Sequence, residues 1–255
     1  MYAYNHYLKK HIENLPKNVV QIWEYAFSEM MNNVIDHSGA DMVTITVETN
    51  PLTTTVTIKD NGVGIFEKIM NYFSFDTQET AICELFKGKL TTDSKNHSGE
   101  GIFFSSKMMD EFFILSDGNT FTTNKYKRSK TEDMEKTEGT CVIMRLSNAT
   151  KRSTKEIFDM YSNVDEGLTK TVIMIKNIFD TSPVSRSQAK RICYRLDEHF
   201  SEVILDFEDV EWMGQGFAHQ IFCVFQEEHP DIILTIKNMN EDVRKMYAHV
   251  RAEKL

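Results

Sequence analysis

Three polar side chains recur every fourth residue in the stretch SEMMNNVIDH, and they are the residues of this sequence whose types and spacing best suit chemistry. Glu29, Asn33 and His37 stand at positions i, i+4 and i+8, which at about 3.6 residues per turn places them in one file along a helix. A carboxylate there can take a proton from water or a hydroxyl, and carboxylate and amide oxygens both suit Mg²⁺. The same pattern also fits an ordinary polar margin of a helix.

A pair of glycines one residue apart forms a second candidate. Gly99 and Gly101 occur in HSGEGIFF and are followed by the helix-like run SSKMMDEFF. Glycines that open a helix let an anion, often a phosphate, approach the main-chain amides. Glycine pairs also form tight turns and close packing contacts, so this motif alone leaves both interpretations open.

The pattern along the first 150 residues predicts the elements that hold these candidates. Apolar residues in 15–37 recur at three- and four-residue steps, which indicates an amphipathic helix with Pro16 in its first turn and Gly39 after its end. The remaining predicted elements are two alternating strands at 41–47 and 54–58, a long polar and mixed segment up to residue 98, a helix from Gly101, and strands near 112–115, 120–125 and 140–146. This order predicts an α+β sandwich of helices on a sheet.

The pattern changes near residue 150, where a polar bridge at 147–154 leads into a short linker helix at 155–167. Strands and helices then alternate, which predicts a small α/β layer. The predicted elements are strand 171–175, helix 185–199, strand 202–207, helix 216–228, strand 232–236 and helix 241–250. We therefore expect three parts, with residues 1–150 as the first domain, 151–167 as a linker and 168–255 as the second domain.

Composition excludes several functional classes. The formal net charge of −9 argues against direct binding of nucleic acid or of an anionic membrane surface. The four cysteines are widely spaced without a CxxC pair, so structural zinc and dithiol redox chemistry are not expected. Because the chain also shows no membrane-length apolar run, we expect a cytoplasmic protein with reduced thiols.

Four stretches in order, SEMMNNVIDHSG, DNGVGI, SGEGIFFSSKMMDEF and EGTCVIMRL, resemble the GHKL ATPase superfamily. Its members have the Bergerat fold and include gyrase, a heat-shock chaperone, histidine kinases and MutL. The nearest branch by these motifs is that of the anti-sigma serine kinases. The resemblance implies an ATP site with Mg²⁺ as cofactor in the first 150 residues.

The resemblance also implies roles for single residues. Glu29 matches the glutamate that activates water or an attacking hydroxyl, Asn33 matches the asparagine that ligates magnesium, and His37 matches a supporting position. Asp60 matches the aspartate that accepts a hydrogen bond from the adenine amino group. The remaining nucleotide-binding positions by this resemblance are Gly62, Gly64, Gly99, Gly101, Ile102 and Thr140.

Two features of the segment between the glycine motifs need separate mention, a departure from the family pattern and a set of lysines whose role the sequence does not decide. His97 stands where the family commonly has glycine, which puts the geometry of the lid in doubt. Lys87, Lys89 and Lys95 each have the length to contact a terminal phosphate on lid closure, but each also fits a solvated loop charge.

The second half of the chain resembles STAS-like domains through SEVILDFEDVEWMGQGFAHQIF, and the upstream SPVSRSQAKRI fits a STAS-like family of unknown function. In anti-sigma factor antagonists a phosphorylated serine opens the helix after this strand, whereas the loop 212–217 here contains no hydroxyl. We therefore expect no autophosphorylation in the loop, and we expect Ser185 and Ser187 to serve as a helix N-cap. A plain α/β packing module fits the same residues.

Two functional classes follow from these resemblances. In the first, the chain is a Mg-ATP-dependent ATPase, or a protein serine/threonine kinase of the anti-sigma type that acts on a separate protein partner. In the second, it is a nucleotide-gated regulatory switch in which ATP controls how its two parts, or two copies in a homodimer, meet.

Overall fold

The computed structural model describes residues 2–90, 99–124, 138–163, 165, 167–179 and 181–252. They divide into two compact units, one comprising residues 1–85 and 90–160 and the other comprising residues 86–89 and 161–255. The predicted α+β class is confirmed, because the first unit packs helices on an antiparallel sheet and the second unit is a small α/β layer. The domain boundaries predicted at residues 150 and 167 stay a prediction.

The sheet of the first unit has five strands in the order β1-β2-β5-β3-β4, and each neighbouring pair is antiparallel. These strands are β1 (Val43–Thr49), β2 (Thr53–Asp60), β3 (Glu111–Ser116), β4 (Asn119–Thr122) and β5 (Cys141–Ser147). Side chains alternate between the two faces of a strand, and the register aligns buried Ile58 with Val142 and Val142 with Ile114. Asp60 follows on the same face as Ile58, which places its carboxylate on the core side of the sheet.

Among the described residues, six α-helices belong wholly or mainly to the first unit: α1 (Lys9–Ile12), α2 (Lys17–Asn33), α3 (Ile65–Phe73), α4 (Gln78–Lys87), α5 (Gly101–Met108) and α6 (Thr154–Tyr161). The predicted long helix is α2, which begins after Pro16 and buries an apolar face that includes Trp23 and Phe27. It continues as a π-helical turn over Val34–Ser38 and ends at Gly39, whose φ of +64° is left-handed. Glycine adopts that conformation at low cost, which explains why the helix stops there.

No helix was predicted in the polar and mixed segment before residue 98, but its described part contains α3 and α4. Helix α3 has only nine residues, so its apolar residues span too few turns for a clear helical period. Ser74 ends α3 in a left-handed conformation with φ of +55°, and its N–H bonds to main-chain oxygens of the last turn. The two helices are thus short, and the sharp turn between them contains no glycine or proline from which it could be predicted.

The second unit has a parallel three-stranded sheet in the order β10-β9-β8. The strands of this sheet are β8 (Lys170–Met174), β9 (Glu202–Asp206) and β10 (Ile233–Lys237). Two further strands of the second unit, β6 (Ser162–Asn163) and β7 (Gly167–Leu168), pair with each other. Its helices are α7 (Ile175–Ile178), α8 (Arg186–Cys193), α9 (Leu196–His199), α10 (Gln215–His219), which continues through a π-helical stretch at Gln220–Phe225 into α11 (Gln226–Glu228), and α12 (Glu241–Ala252). The single helix predicted at 185–199 is wrong, because Arg195 takes a left-handed φ of +57° and separates α8 from α9.

Helix α8 is capped at both ends within the second unit. Ser185 accepts a hydrogen bond from the Gln188 N–H at 3.2 Å, and the Gln188 side chain accepts one from the Ser185 N–H at 2.9 Å. This reciprocal capping box confirms the N-cap expected for Ser185. At the other end, the buried ammonium of Lys87 donates to the carbonyls of Arg191 and Tyr194 at 3.0 and 2.7 Å, where a helix leaves carbonyls unpaired.

Across the described ranges, no helix has the length and apolar character needed to cross a membrane.

Candidate functional site

A cavity of about 240 Å³ lies inside the first unit between α2, α3, α5 and the core face of the sheet. Most of the residues singled out in the sequence line it, although they come from four separate segments of the chain. Those in the lining are Glu29, Asn33, His37, Asp60, Gly99, Gly101, Ile102 and Thr140. Gly62 and Gly64 are not among the lining residues, and they pack against Ser38 and Ser116 next to the cavity.

Glu29 and Gly101 bring α2 and the N-terminus of α5 together at one side of the cavity. A Cβ atom added to Gly101 would lie 2.1 Å from Oε2 of Glu29, so only glycine leaves room for the carboxylate there. Asn33 and His37 follow on α2 at one-turn intervals and line the same cavity. A carboxylate, an amide and the amides of a helix N-terminus therefore face a common space.

Asp60 is fixed at the end of β2 with 3% of its surface exposed. Its Oδ1 atom accepts hydrogen bonds from the main-chain N–H groups of Gly62 at 2.9 Å and Thr140 at 3.3 Å. In the described part of the chain, no donor lies within hydrogen-bond distance of Oδ2. The anchored carboxylate thus keeps one oxygen available to a ligand that donates an N–H group.

The two glycines after Asp60 permit close packing of the chain around it. A Cβ on Gly62 would lie 2.2 Å from the Ser38 carbonyl oxygen, and one on Gly64 would lie 2.2 Å from Oγ of Ser116. The Ser38 carbonyl also accepts a hydrogen bond from Val63 N–H at 2.9 Å. These contacts hold the turn between β2 and α3 against the end of α2.

Thr140 connects three elements around Asp60. Its hydroxyl oxygen accepts a hydrogen bond from Ile65 N–H at 3.0 Å, at the start of α3. Its carbonyl oxygen accepts another from Asp60 N–H at 2.9 Å. The threonine therefore fixes the position of α3 relative to the sheet, and its hydroxyl hydrogen remains available to a ligand or a water.

Gly99 also lines the cavity, two residues before Gly101, in a left-handed conformation with φ of +74°. A Cβ there would lie 2.6 Å from the carbonyl carbon of Leu90, and the Leu90 N–H donates to the Gly99 carbonyl at 3.2 Å. These two residues bracket the segment 91–98, so Lys95 and His97 lie outside the described residues. Of the other two lid lysines, Lys87 is engaged at the end of α8, and neither Lys87 nor Lys89 is among the residues that line the cavity.

Sequence reasoning missed the apolar wall of the cavity and one cation. The apolar lining comprises Met30, Val34, Val63, Ile65, Ile69, Leu85, Leu90, Ile114 and Val142, and none of them was assigned to the site from the sequence. Lys68 also lines the cavity, and its ammonium donates to the His37 carbonyl. Lys68 stands three residues after Ile65, and this spacing would have placed both residues on one face of a helix. The signal could not be used because α3 itself was not predicted.

Tyr25 was also missed, although it stands one helical turn before Glu29. Its ring packs edge-on against Phe158 with the ring centroids 5.3 Å apart. Burial, together with the carboxylates of Glu29 and Glu100, raises the pKa of Tyr25 well above its usual value. The phenol is therefore neutral at physiological pH and adds no charge beside Glu29.

The oxygen atoms in the cavity fit a magnesium ion that is held mainly by a phosphate-bearing ligand. Among the described residues, no group of three or more histidine, cysteine, aspartate or glutamate side chains could hold a metal ion. Mg²⁺ commonly binds through only one or two protein oxygens plus substrate phosphates and waters. Asn33, with Glu29 one turn away, supplies donors of this kind.

Two family models match the chain. The first, described as histidine kinase-, DNA gyrase B- and HSP90-like ATPase, matches residues 19–150 and covers the whole cavity. The second, described as a STAS-like domain of unknown function, matches residues 188–244 in the second unit. No curated protein matches the chain.

Proposed function

Because the chain belongs to the histidine kinase-, DNA gyrase B- and HSP90-like ATPase family, we propose that it binds Mg-ATP in the cavity of its first unit and hydrolyses it. Nucleotide turnover then acts as a regulatory switch in a chain that carries the ATPase unit and the STAS-like module together. The observation that supports this proposal most strongly is the position of the Glu29 carboxylate against Gly101 at the N-terminus of α5. A base placed there adjoins the main-chain amides suited to phosphate.

In this proposal Asp60 selects the base. One oxygen is held by the N–H groups of Gly62 and Thr140, and the other accepts the adenine amino group. The apolar side chains of Ile114 and Val142 cover the faces of the base and exclude water from that end of the cavity. A buried acceptor of this kind favours adenine over guanine, which has a carbonyl at the corresponding position.

At the other end of the nucleotide, Glu29 acts as the general base. Its carboxylate takes the proton from the water that attacks the terminal phosphate, ADP leaves with the bridging oxygen, and the α5 amides hold the phosphates. Asn33 would hold a magnesium ion, which would neutralise charge on the phosphates.

The second candidate is a protein serine/threonine kinase that acts on a separate partner, with Glu29 deprotonating a hydroxyl instead of water. The observation that favours a separate partner is the loop at residues 212–217, which contains no hydroxyl side chain. Ser185, the nearby candidate, uses its side chain in the capping box of α8. Intact-mass spectrometry after incubation with Mg-ATP distinguishes the cases, and a stoichiometric phosphate on Ser185 or Ser187 would contradict a separate acceptor.

The test of the proposed function compares ATP binding with phosphate release in wild type and Glu29→Gln. Glutamine is close to glutamate in size, so we expect affinity for Mg-ATP within a few-fold of wild type and phosphate release lowered by about 10²-fold or more. Equal phosphate release in both proteins would show that turnover does not use Glu29, and would favour a switch that works by nucleotide binding alone. A wild-type chain with no affinity for Mg-ATP would refute the proposal.

A further inference from the structure

Lys68 carries a positive charge into the cavity from helix α3. Its side chain is half-buried and its ammonium donates a hydrogen bond to the His37 carbonyl, in the last turn of α2. That contact matches a cation to the negative end of a helix. It uses one of the three N–H donors of the ammonium, which leaves two for another acceptor.

The charge of Lys68 has no compensating carboxylate in the described part of the chain, where no Asp or Glu oxygen lies within ion-pair distance of its Nζ atom. Its hydrogen-bond partner is a neutral main-chain oxygen. A half-buried cation is favoured by an anion nearby, because its own solvation is incomplete. An anionic group of a ligand in the cavity would meet this requirement.

The cavity as a whole also needs a cation if it is to hold a polyphosphate. Among its described lining residues, Glu29 and Asp60 are carboxylates, and Lys68 is the only lysine or arginine. Lys87, which in the sequence fitted either a phosphate contact or a solvated loop charge, donates instead to the carbonyls of Arg191 and Tyr194 within the second unit. Lys68 is therefore the positive side chain that the described fold builds into the cavity.

We infer that Lys68 binds a phosphate group of the nucleotide, with its ammonium bridging the phosphate and the His37 carbonyl. The inference rests on the proposed nucleotide-binding function and adds a phosphate-binding residue on α3. It assigns the residue to the ligand's anionic part and not to its base or sugar. Loss of the charge should thus weaken the binding of ligands that carry phosphate and leave adenosine binding unchanged.

The test is calorimetric titration of ATP, ADP, adenosine and inorganic tripolyphosphate into wild type, Lys68→Met and Lys68→Arg. A charge-assisted hydrogen bond in a partly buried site corresponds to roughly a tenfold to hundredfold change in affinity. We expect that loss for ATP, ADP and tripolyphosphate in Lys68→Met, and adenosine affinity within about twofold of wild type. Lys68→Arg keeps the charge and should recover most of the affinity.

Lys59→Met is the matched control, because Lys59 is exposed on β2 one residue before Asp60. It removes the same charge near the cavity but on the other face of the sheet, so ATP affinity should change by less than about threefold. Thermal melting checks that each variant is folded, and Lys68→Gln replaces Lys68→Met if the latter unfolds.

Unchanged ATP affinity in Lys68→Met would overturn the inference while leaving the proposed function intact. An equal loss for adenosine and ATP would also overturn it, since the lysine would then support the base, the sugar or the cavity itself. If wild type binds no ATP, the proposed function fails, and tripolyphosphate still decides separately whether Lys68 binds an anion.

Discussion

Substitution of Gly101 by alanine should separate the position of the Glu29 carboxylate from the stability of the fold. The new Cβ would lie 2.1 Å from Oε2 and 3.0 Å from Cδ of Glu29, whereas ordinary contact begins at 3.4 Å. Glu29 must therefore move its carboxylate by about 1 Å, and a misplacement of that size can lower a catalytic rate about 10²-fold. The atom closest to the new Cβ is the far end of a flexible side chain, so the side chain and not the backbone takes up most of the shift.

The stability of Gly101→Ala should equal or slightly exceed that of wild type. Gly101 is not among the residues with positive φ, so alanine fits the backbone, and it raises helix propensity by up to about 1 kcal/mol. Phosphate release and thermal melting should be measured together, with Gly216→Ala as the control. The control adds the same methyl group in α10, where the nearest atom lies 3.5 Å away, and should leave phosphate release unchanged.

A Gly101→Ala protein that melts like wild type and releases phosphate at the wild-type rate would refute the reasoning. It would mean that the contact between Gly101 and Glu29 has no bearing on turnover. A matching loss of melting temperature and turnover would instead indicate that the methyl group disrupts the packing of α2 on α5.

Three further outcomes are expected. Asp60→Ala should weaken ATP binding by about 1–3 kcal/mol because it leaves the adenine amino group unpaired, with Asp60→Asn less affected; wild-type affinity in Asp60→Ala by calorimetry would contradict the role of Asp60. Asn33→Ala should reduce the difference in ATP affinity measured with and without Mg²⁺; a difference as large as that of wild type would exclude Asn33 as a ligand. Iodoacetamide at pH 8 should alkylate half-buried Cys193 well before buried Cys141. Burial raises the pKa of the Cys141 thiol, so less of it is present as the reactive thiolate. Peptide mass spectrometry that shows Cys141 alkylated first would contradict the buried position of β5.

Sequence motifs were sufficient for the family and for the file of polar residues on α2. Both family resemblances are confirmed by the matches at 19–150 and 188–244, whereas the anti-sigma branch stays a prediction. Glu29 and Asn33 could be placed together because the period of a helix is local information. The family motifs also singled out Asp60, and the structure adds how its carboxylate is held, by N–H groups of Gly62 and of Thr140, 80 residues away.

The parts that were missed depend on tertiary contacts. Lys68 is one of many lysines in the sequence, and only its approach to the His37 carbonyl, 31 residues away, places it in the cavity. In the sequence Lys87 fits a solvated charge of the lid, whereas in the structure its ammonium donates to the carbonyls of Arg191 and Tyr194 at the end of α8, more than 100 residues away. Tyr25 likewise gains its packing from Phe158 on α6. Periodicity and spacing carry no information about such pairs.

The most direct test of the account is a crystal structure of the chain with Mg²⁺ and a non-hydrolysable ATP analogue. We predict the adenine amino group at Oδ2 of Asp60, magnesium at the Asn33 side chain, and the terminal phosphate beside Glu29 and Gly101. An analogue bound outside this cavity, or bound within it with its base at Glu29 and its phosphates at Asp60, would contradict the account.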